Sequence, residues 1–528
     1  MQNSTAIGSE VVPAIKSASE ALEVVVLVFS CSADLEICSI VTRILAIFCE
    51  EAKLVTTSAP ESAKSTLTIL KNLDIYQEMS SKSFRFTGLV AFQKIFRKRL
   101  LTRLSHPTAG ILNAWETVFS KWIVLSKQLS SSRPLEERSL VEWRNYSGFL
   151  ASLGGCCIAE QASQAVDDSC AGLRWIDRHA PDKSREDTLL DLYLSQSIRL
   201  LTCSIVRVRE ATRESLAEIS SSLYLQLFKA LQDELEDFFD SPRPPAPASS
   251  DTRIIFAEQA AALLKTVVER LANPAEVGST VPLGVGEITL SLAKFLDFAE
   301  SKESILVKIK VCQLCEVLTR KKELLNLRHD VKIRNALLEI LFSWITRPGS
   351  PSTENSGASG VTRVDEIARL QKELDKACLK ALTHLTYRLP LQPVSSDNEI
   401  ETGDLKMEMF HSYFNRFLTL LSFDGTESGR RDMTSVATRD DSVPTTELAI
   451  TALSNLLSAN IDIGLKNSLS LGYHEDLGIR IAFVRVLCNV LRQGTELNNL
   501  SDAAISEKYD ELLEVSTVIV LLPRFMCE

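Results

Sequence analysis

The feature that most constrains this chain is the spacing of its apolar residues, which recur every three or four positions along almost its whole length. The clearest example lies in residues 108–129, where Leu112, Trp115, Phe119 and Trp122 share one face of a predicted helix. No run of consecutive segments alternates apolar and polar residues as half-buried strands do. We therefore predict an all-α protein, and we interpret the aromatic stripe as core rather than as a cofactor pocket.

The predicted helices are about 12 to 22 residues long and come in pairs about every 40 residues, without an exact sequence repeat. This pattern is typical of an irregular α-solenoid of the HEAT or armadillo kind, in which each helix pair buries its apolar face against its neighbours. A single globular helical domain is the alternative, and the length of 528 residues favours the solenoid.

Two stretches rich in helix-breaking residues interrupt the helical pattern. Residues 241–251, with four prolines, predict an exposed linker, and the Ser/Gly-rich residues 347–363 predict a disordered loop. They separate an N-terminal, a middle and a C-terminal helical segment, at residues 1–240, 252–346 and 364–514.

Composition limits the classes of protein to which the chain can belong. The net charge of −10 argues against a nucleic-acid surface, and the longest apolar runs, such as residues 24–29, are far too short to span a bilayer. Residues 1–20 have neither the basic nor the apolar region of a secretory signal. We expect a cytoplasmic protein that binds no nucleic acid and has no transmembrane segment.

The cysteines and histidines do not form a recognisable chemical site. Cys312 and Cys315 form a C-x-x-C pair, but no second ligand pair follows at zinc-site spacing, and the surrounding pattern is helical. We interpret them as core residues, and Cys156–Cys157 likewise. His474 precedes two acidic residues that we interpret as a helix start. We assign no catalytic, cofactor-binding or metal-ligating residue, and no cofactor.

The sequence also contains one cluster of basic residues and two further apolar stripes at helical spacing. The cluster Arg97, Lys98, Arg99 and Arg103 suits anionic lipid or a nuclear signal, but it is interpreted here as the solvated face of a helix. Two later helices each carry an apolar stripe: Leu337, Leu341 and Trp344 in the first, and Leu477, Ile481, Val484, Cys488 and Leu491 in the second. Arg480, Asn489 and Arg492 lie mostly on the other side of the second helix.

Several stretches closely resemble neurofibromin and the fungal inhibitory regulators of Ras. The most specific is residues 452–497, with its SNLLSAN, LGYHEDL and QGTEL wording, which in that family stands just before the Ras GTPase-activating domain. The resemblance extends over most of residues 65–514. The other matching blocks are AWETVFSKW (114–122), EWRNYSGFLASLGG (142–155), KIRNALLEILFSWI (332–345) and YRLPLQP (387–393).

The resemblance implies a negative regulator of Ras-type small GTPases. In that family a separate domain accelerates GTP hydrolysis with an arginine finger and carries a Phe-Leu-Arg…Pro-Ala motif. That motif is absent here, and Arg480, Arg485 and Arg492 lie upstream of where such a domain would begin, so none inherits the finger's role. We expect a helical scaffold that is not itself an enzyme, that reaches membranes only through Ras and that has surface for a homodimer or other partners.

The last residues of the chain differ from the sequence that the family has at this position. Residues 515–528, VSTVIVLLPRFMCE, form a poor helix and read as an atypical tail, so we expect the activating domain to be missing and the tail to come from a retained intron, a frameshift or a truncated gene. The alternative function, from a different class, is a free-standing helical-repeat adaptor unrelated to Ras.

Overall fold

A computed structural model of the chain describes most of its residues, and every regular element in them is helical. The described ranges are 3–58, 72–80, 88–103, 108–129, 136–157, 189–239, 249–271, 280–299, 301–320, 327–345, 361–392, 399–423 and 444–495. No strand occurs within these ranges. The prediction of an all-α protein is thereby confirmed for the described part of the chain.

Contacts divide the chain into two compact units, Met1–Val281 and Pro282–Glu528. The first contains α1 Asn3–Phe29, α2 Leu35–Ser58, α3 Leu73–Ser80, α4 Leu89–Arg103, α5 Ala109–Leu129, α6 Glu137–Leu153, α7 Leu189–Leu200, α8 Val206–Ala217, α9 Tyr224–Phe239 and α10 Ser249–Arg270. The second contains α11 Thr280–Asp297, α12 Lys302–Arg320, α13 Leu327–Trp344, α14 Val361–Leu385, α15 Glu399–Phe423, α16 Thr445–Ala459, α17 Ile461–Ser468 and α18 Leu477–Thr495. Short 3₁₀ turns follow α6, precede α9 and follow α17.

The first unit is built around the aromatic stripe of α5. Its four members are buried, and α5 packs between α1 and α6. The Trp115 and Trp122 rings meet Tyr193 of α7 edge-on, with ring centroids 6.2 and 5.1 Å apart. Because these buried rings pack against one another, the interpretation of the stripe as core is correct. The packing continues from α6 to α8 and from α8 to α10.

In the second unit, helices separated by one element pack against each other. The series α12, α14, α16 and α18 runs through direct contacts between successive members, and α15 packs on α16, α17 and α18. The predicted inner stripe of α13 is buried, with Trp344 5% exposed. Next to that stripe, Phe342 of α13 meets Phe417 of α15 with ring centroids 4.9 Å apart.

The predicted interruptions are shorter than expected where the structure describes them. Helix α10 already begins at Ser249, inside the predicted linker, because Ser and Asp suit a helix start. Helix α14 begins at Val361, directly after the last glycine of the predicted loop. Residues 280–286 open α11, and Pro282 is tolerated there because it lies in the first turn, where its missing N–H is not needed.

The predicted apolar face of α18 is wrong. Leu477 is 52% exposed and Ile481 47% exposed, and Cys488 is exposed as well. The buried positions are instead Ile479, Ala482, Phe483, Val486, Leu487 and Val490. Both faces of this helix are apolar, and the structure buries the face that carries the aromatic ring against α16. The other two members of the predicted stripe, Val484 and Leu491, are half-buried.

Candidate functional site

No centre for covalent or metal chemistry emerges in the described part of the chain. Within it, no three His, Cys, Asp or Glu side chains are grouped so that they could hold a metal ion. His474 and Asp476 start α18: the His474 Nδ1 atom accepts the Asp476 N–H at 3.1 Å, and Asp476 Oδ1 accepts the Gly478 N–H at 2.7 Å. The interpretation of this cluster as a helix start is confirmed.

The C-x-x-C pair lies in the core of the second unit. Cys312 and Cys315 are fully buried on α12, and the Cys312 Sγ atom is 3.6 Å from Cys378 Sγ on α14. Burial raises the pKa of the Cys315 thiol to about 12, and burial together with Cys378 raises the pKa of Cys312 well above its ordinary value. Such thiols are protonated at neutral pH and react poorly, so the core interpretation of this pair is correct. The side chains of Cys156 and Cys157 lie outside the described residues.

Three of the stretches that carry the family resemblance meet at one place, the turn that follows α14. Arg334 Nη1 donates to the carbonyls of Leu385 and Tyr387 at 3.2 and 2.9 Å. Asn335 Nδ2, also on α13, donates to the Pro390 carbonyl at 3.3 Å. The last carbonyls of a helix have no intrahelical N–H partners. At the end of α14, side chains of α13 supply the missing donors.

Helix α16 and Asn460, the residue directly after it, complete this set from the other side. The Asn460 side chain accepts the Leu391 N–H at 3.0 Å and donates to the Leu389 carbonyl at 3.1 Å. Asn455 Nδ2 donates to the Thr383 carbonyl at 2.8 Å, one turn earlier in α14. We call these four side chains, Arg334, Asn335, Asn455 and Asn460, the turn clamp. All four are buried, so Arg334, Asn335 and Asn460 bind the turn, and Asn455 the last part of α14, instead of water.

The charged member of the turn clamp is held by a second buried group. Arg334 Nε lies 2.7 Å from the Asp330 carboxylate, one helical turn earlier. Burial raises the pKa of Asp330, an effect that Arg334 partly opposes, and burial lowers the pKa of Arg334. Desolvation therefore destabilises the charged form of both groups. The ion pair persists because carboxylate and carbonyl oxygens surround the guanidinium. The arrangement orients a backbone turn and has no reactive atom.

The first unit contains a similar device in the two remaining stretches of family resemblance. The indoles of Trp115 and Trp122 donate to the Leu150 carbonyl and the Ser147 hydroxyl of α6 at 3.1 and 2.7 Å. On α6, Asn145 Nδ2 donates to the Cys31 carbonyl, in the turn after α1, at 3.2 Å. The resemblance therefore falls on helix-to-helix contacts in both units.

Sequence reasoning missed one buried carboxylate in the first unit. Glu23 of α1 accepts the Tyr76 hydroxyl at 2.6 Å and the Thr108 hydroxyl at 2.8 Å, which joins α1 to α3 and to the start of α5. A side chain at Gly110 would collide with this carboxylate. The available signal was an acidic residue within the apolar run of α1, at a position of the core-facing stripe.

The arginines of the last helices lie at or near the surface. Arg485 Nη2 is 2.8 Å from a Glu447 carboxylate oxygen, with half of its side chain exposed, so the pair adds little stability. Arg480 is half-buried and Arg492 exposed. The side chains of Arg97, Lys98, Arg99 and Arg103 lie outside the described residues, as does the predicted tail at residues 515–528.

Of the helices that the structure describes, none is by itself both long and apolar enough to cross a membrane. The bent pair Thr445–Ala459 and Ile461–Tyr473 meets that requirement by length and composition alone.

Comparison with known proteins gives a distant relationship. No protein-family model matches the chain. The chain is 23% identical over 443 residues to "Inhibitory regulator protein IRA1" of Saccharomyces cerevisiae, a match that covers 80% of this chain and 14% of that protein. It is 21% identical over 468 residues to "Inhibitory regulator protein IRA2" of the same organism, which covers 84% and 14% respectively. The chain is thus a distant homologue of these regulators and spans about 14% of their length.

Proposed function

We propose that this chain is a helical scaffold segment of a regulator that restrains Ras-type small GTPases. The observation that carries the proposal is where the family resemblance falls: on the turn clamp, on the α5–α6 indole bonds and on the stacked helices. Similarity to the two yeast regulators over at least 80% of the chain supports a shared architecture. The proposed role is to hold other parts of a larger regulator in place.

We further propose that the helices form an irregular α-solenoid of the HEAT or armadillo kind. The contacts of α12 with α14, α14 with α16 and α16 with α18 support this, because repeat proteins bury each helix pair only against its neighbours. In this proposal the segment itself is not an enzyme, lies in the cytoplasm and reaches membranes only through Ras. A homodimer is a further proposal of the same kind.

A chimera tests the link to Ras. In yeast cells whose IRA1 lacks the 443 residues that match this chain, the deleted stretch is replaced by this chain, and the GTP-bound fraction of Ras is measured. Restoration of a low GTP-bound fraction is expected. Its failure, with the chimera expressed at the level of intact IRA1, would favour the adaptor unrelated to Ras. A chimera that carries Asn460→Ala is the matched control and should restore less.

A hydrolysis assay tests the scaffold role itself. The purified chain, mixed with GTP-loaded Ras in a single-turnover experiment, should leave the hydrolysis rate within about twofold of the intrinsic rate, because no arginine is proposed to enter the GTPase site. An acceleration beyond about tenfold would contradict the proposal, since a finger arginine is worth about 10³- to 10⁵-fold. In that case Arg480, Arg485 and Arg492 would be replaced singly by Ala.

A further inference from the structure

Helix α2 has a second apolar face besides the one that it buries within its own unit. The buried face consists of Val41, Leu45, Phe48 and Ala52. The second face, which we call the α2 stripe, consists of Ile37, Ile40, Ile44, Ile47 and Leu54. Ile40, Ile47 and Leu54 are 49%, 63% and 66% exposed, and the other two members are half-buried. A contiguous exposed apolar face of this kind indicates an interaction surface.

The spacing of the α2 stripe is that of a coiled-coil seam. Its members follow one another at intervals of three, four, three and seven residues, and Glu51 takes the seam position between Ile47 and Leu54. From Ile37 to Leu54 the seam covers about 27 Å of helix. This geometry fits one long helix that lies along α2.

The two edges of the α2 stripe differ in character. One edge carries the exposed residues Glu36, Arg43 and Glu50, which recur every seven residues. The other edge, with Val41 and Phe48, is buried within the unit. Like edges meet in an antiparallel helix pair, whereas unlike edges meet in a parallel pair. The charged edge therefore meets another charged edge only if the partner helix runs antiparallel.

A second copy of α2 supplies such an edge, with opposite charges in the facing positions. In the two-fold arrangement that sets Ile44 of each copy against Ile47 of the other, the apolar members of both stripes lie in the seam. The same arrangement sets Arg43 of each copy against Glu50 and Glu51 of the other. Because the arrangement is two-fold symmetric, this contact forms twice.

The acidic residues of this edge are available for the contact. Glu50 is exposed, and its ion pair with Lys53 of the same chain, at 3.1 Å, is exposed as well and contributes little to stability. Glu51 is also exposed. In the two-fold arrangement Glu51 faces Ile40 of the other copy, and Arg43 of that copy lies one helical turn beyond Ile40.

A shift of the two helices by one heptad is less favourable. The shifted arrangement would pair isoleucines only, but it would leave Leu54 of both copies outside the seam. It would also bring Arg43 against Arg43 of the second copy, and Glu36 against Glu50. Since like charges in facing positions oppose association, the charged edge selects the first register.

The exposed apolar residues of α18 do not offer the same self-pairing. Leu477, Ile481 and Cys488 are exposed there. Helix α18, however, carries three arginines and no acidic residue, so two copies of it would repel each other. Helix α2 has both signs of charge along its exposed edge, in positions that complement a second copy.

From this complementarity we propose that the α2 stripe is a homodimer interface, at which α2 of one chain packs antiparallel on α2 of a second chain. The proposal rests on the homodimer put forward above and names its contact surface. One helix pair buries less than the roughly 1,200–2,000 Å² of a standard interface. We therefore expect a reversible dimer with a dissociation constant in the micromolar range.

Sedimentation velocity of the full chain tests this contact. Over a concentration series from about 1 to 100 μM, the unsubstituted chain should shift from monomer to dimer. Ile47→Asp places a carboxylate against Ile44 of the second copy in two layers of the seam, and it should raise the dissociation constant at least about 100-fold. The matched control is Ile481→Asp, at the 47% exposed isoleucine of α18, which should change the dissociation constant by less than about twofold.

An exchange of charges tests the register. Arg43→Glu and Glu50→Arg each set like charges against each other, and each should raise the dissociation constant at least about fivefold. The double variant Arg43→Glu/Glu50→Arg has the net charge of the unsubstituted chain and should dimerise at least about threefold more tightly than either single variant. Glu210→Arg, at an exposed position of α8, is the control for a changed net charge and should have no effect.

The outcomes separate the interface from the homodimer itself. A chain that stays monomeric over the whole concentration series overturns both. A dimer that Ile47→Asp leaves intact, or that Ile481→Asp weakens to the same extent, overturns the α2 contact and leaves the homodimer standing. A double variant that dimerises no more tightly than the single variants overturns the antiparallel register.

Discussion

Asn460→Ala is the substitution that tests the turn clamp most directly. The Asn460 side chain is 3% exposed, and its removal leaves the Leu391 N–H and the Leu389 carbonyl without the bonds of 3.0 and 3.1 Å that they make to it. A buried backbone group that loses its partner costs about 1–3 kcal/mol. Because a turn relaxes in part, we expect the opening free energy of this region to fall by about 2–4 kcal/mol, within the range set by two such groups.

Native-state hydrogen exchange with mass spectrometry measures this quantity locally. Amides of α14 and of the turn that exchange through opening of the clamp should exchange about 30- to 1000-fold faster, since about 1.4 kcal/mol corresponds to a factor of ten. Peptides from α5, in the other unit, provide an internal reference that should not change. Exchange within about threefold of the unsubstituted chain would refute the reasoning.

Two companion variants separate hydrogen bonding from packing. Asn460→Asp keeps the shape of the side chain but turns its donor into an acceptor that faces the Leu389 and Leu456 carbonyls. It should be at least as destabilising as Ala at neutral pH, whereas a pure packing effect would leave it near the unsubstituted chain. Asn113→Ala, on the exposed side of α5, is the matched control and should stay within about 0.5 kcal/mol.

Three further predictions concern the second unit. Trp344→Ala should lower its free energy of unfolding in urea by about 3–5 kcal/mol, because the indole is buried and donates to Asp297 at 3.0 Å; a change within about 0.5 kcal/mol would contradict this. Burial raises the pKa of Cys315 to about 12, above its ordinary 9.0, so the stability that the protonated thiol contributes below pH 9 is lost as pH rises; between pH 8 and pH 10 the free energy of unfolding should fall by about 1 kcal/mol more than in Cys315→Ala, and equal falls would contradict it. Leu487→Ala should cost about 2–5 kcal/mol in the same urea titration, against about 0.5 or less for the exposed Leu225→Ala, and similar losses would refute the corrected face of α18.

The sequence predicted helices and buried stripes well wherever a helix has a single apolar face. In α5 the stripe Leu112, Trp115, Phe119 and Trp122 lies in the core because the positions opposite it are polar, and α13 behaves in the same way. Helix α18 was assigned to the wrong face because it is apolar on both sides, so periodicity finds two stripes and cannot rank them. The neighbouring helix α16 decides which face of α18 is buried, because it packs against the face that carries Phe483.

The turn clamp could not be predicted from the sequence. Asn335 in the middle of α13 and Asn460 directly after α16 are ordinary polar residues by sequence. Their partners are backbone groups of a turn that lies far from both along the chain. A hydrogen bond to backbone has no sequence pattern on the acceptor's side, since every residue offers the same carbonyl. The family resemblance marked all three stretches but gave no reason why they belong together.

The clamps explain why a helical array of this kind needs buried polar groups at all. Apolar stripes stabilise helix contacts without fixing how far one helix has slid along the next, because dispersion and burial have little direction. Asn460 binds the turn after α14, and Asn145 binds the turn after α1. These directional hydrogen bonds fit only one axial position of the helices. A displacement by one residue, about 1.5 Å along a helix, would break these bonds while leaving most apolar burial intact. For a scaffold proposed to hold other parts of a regulator in place, that fixed register is the property on which function depends.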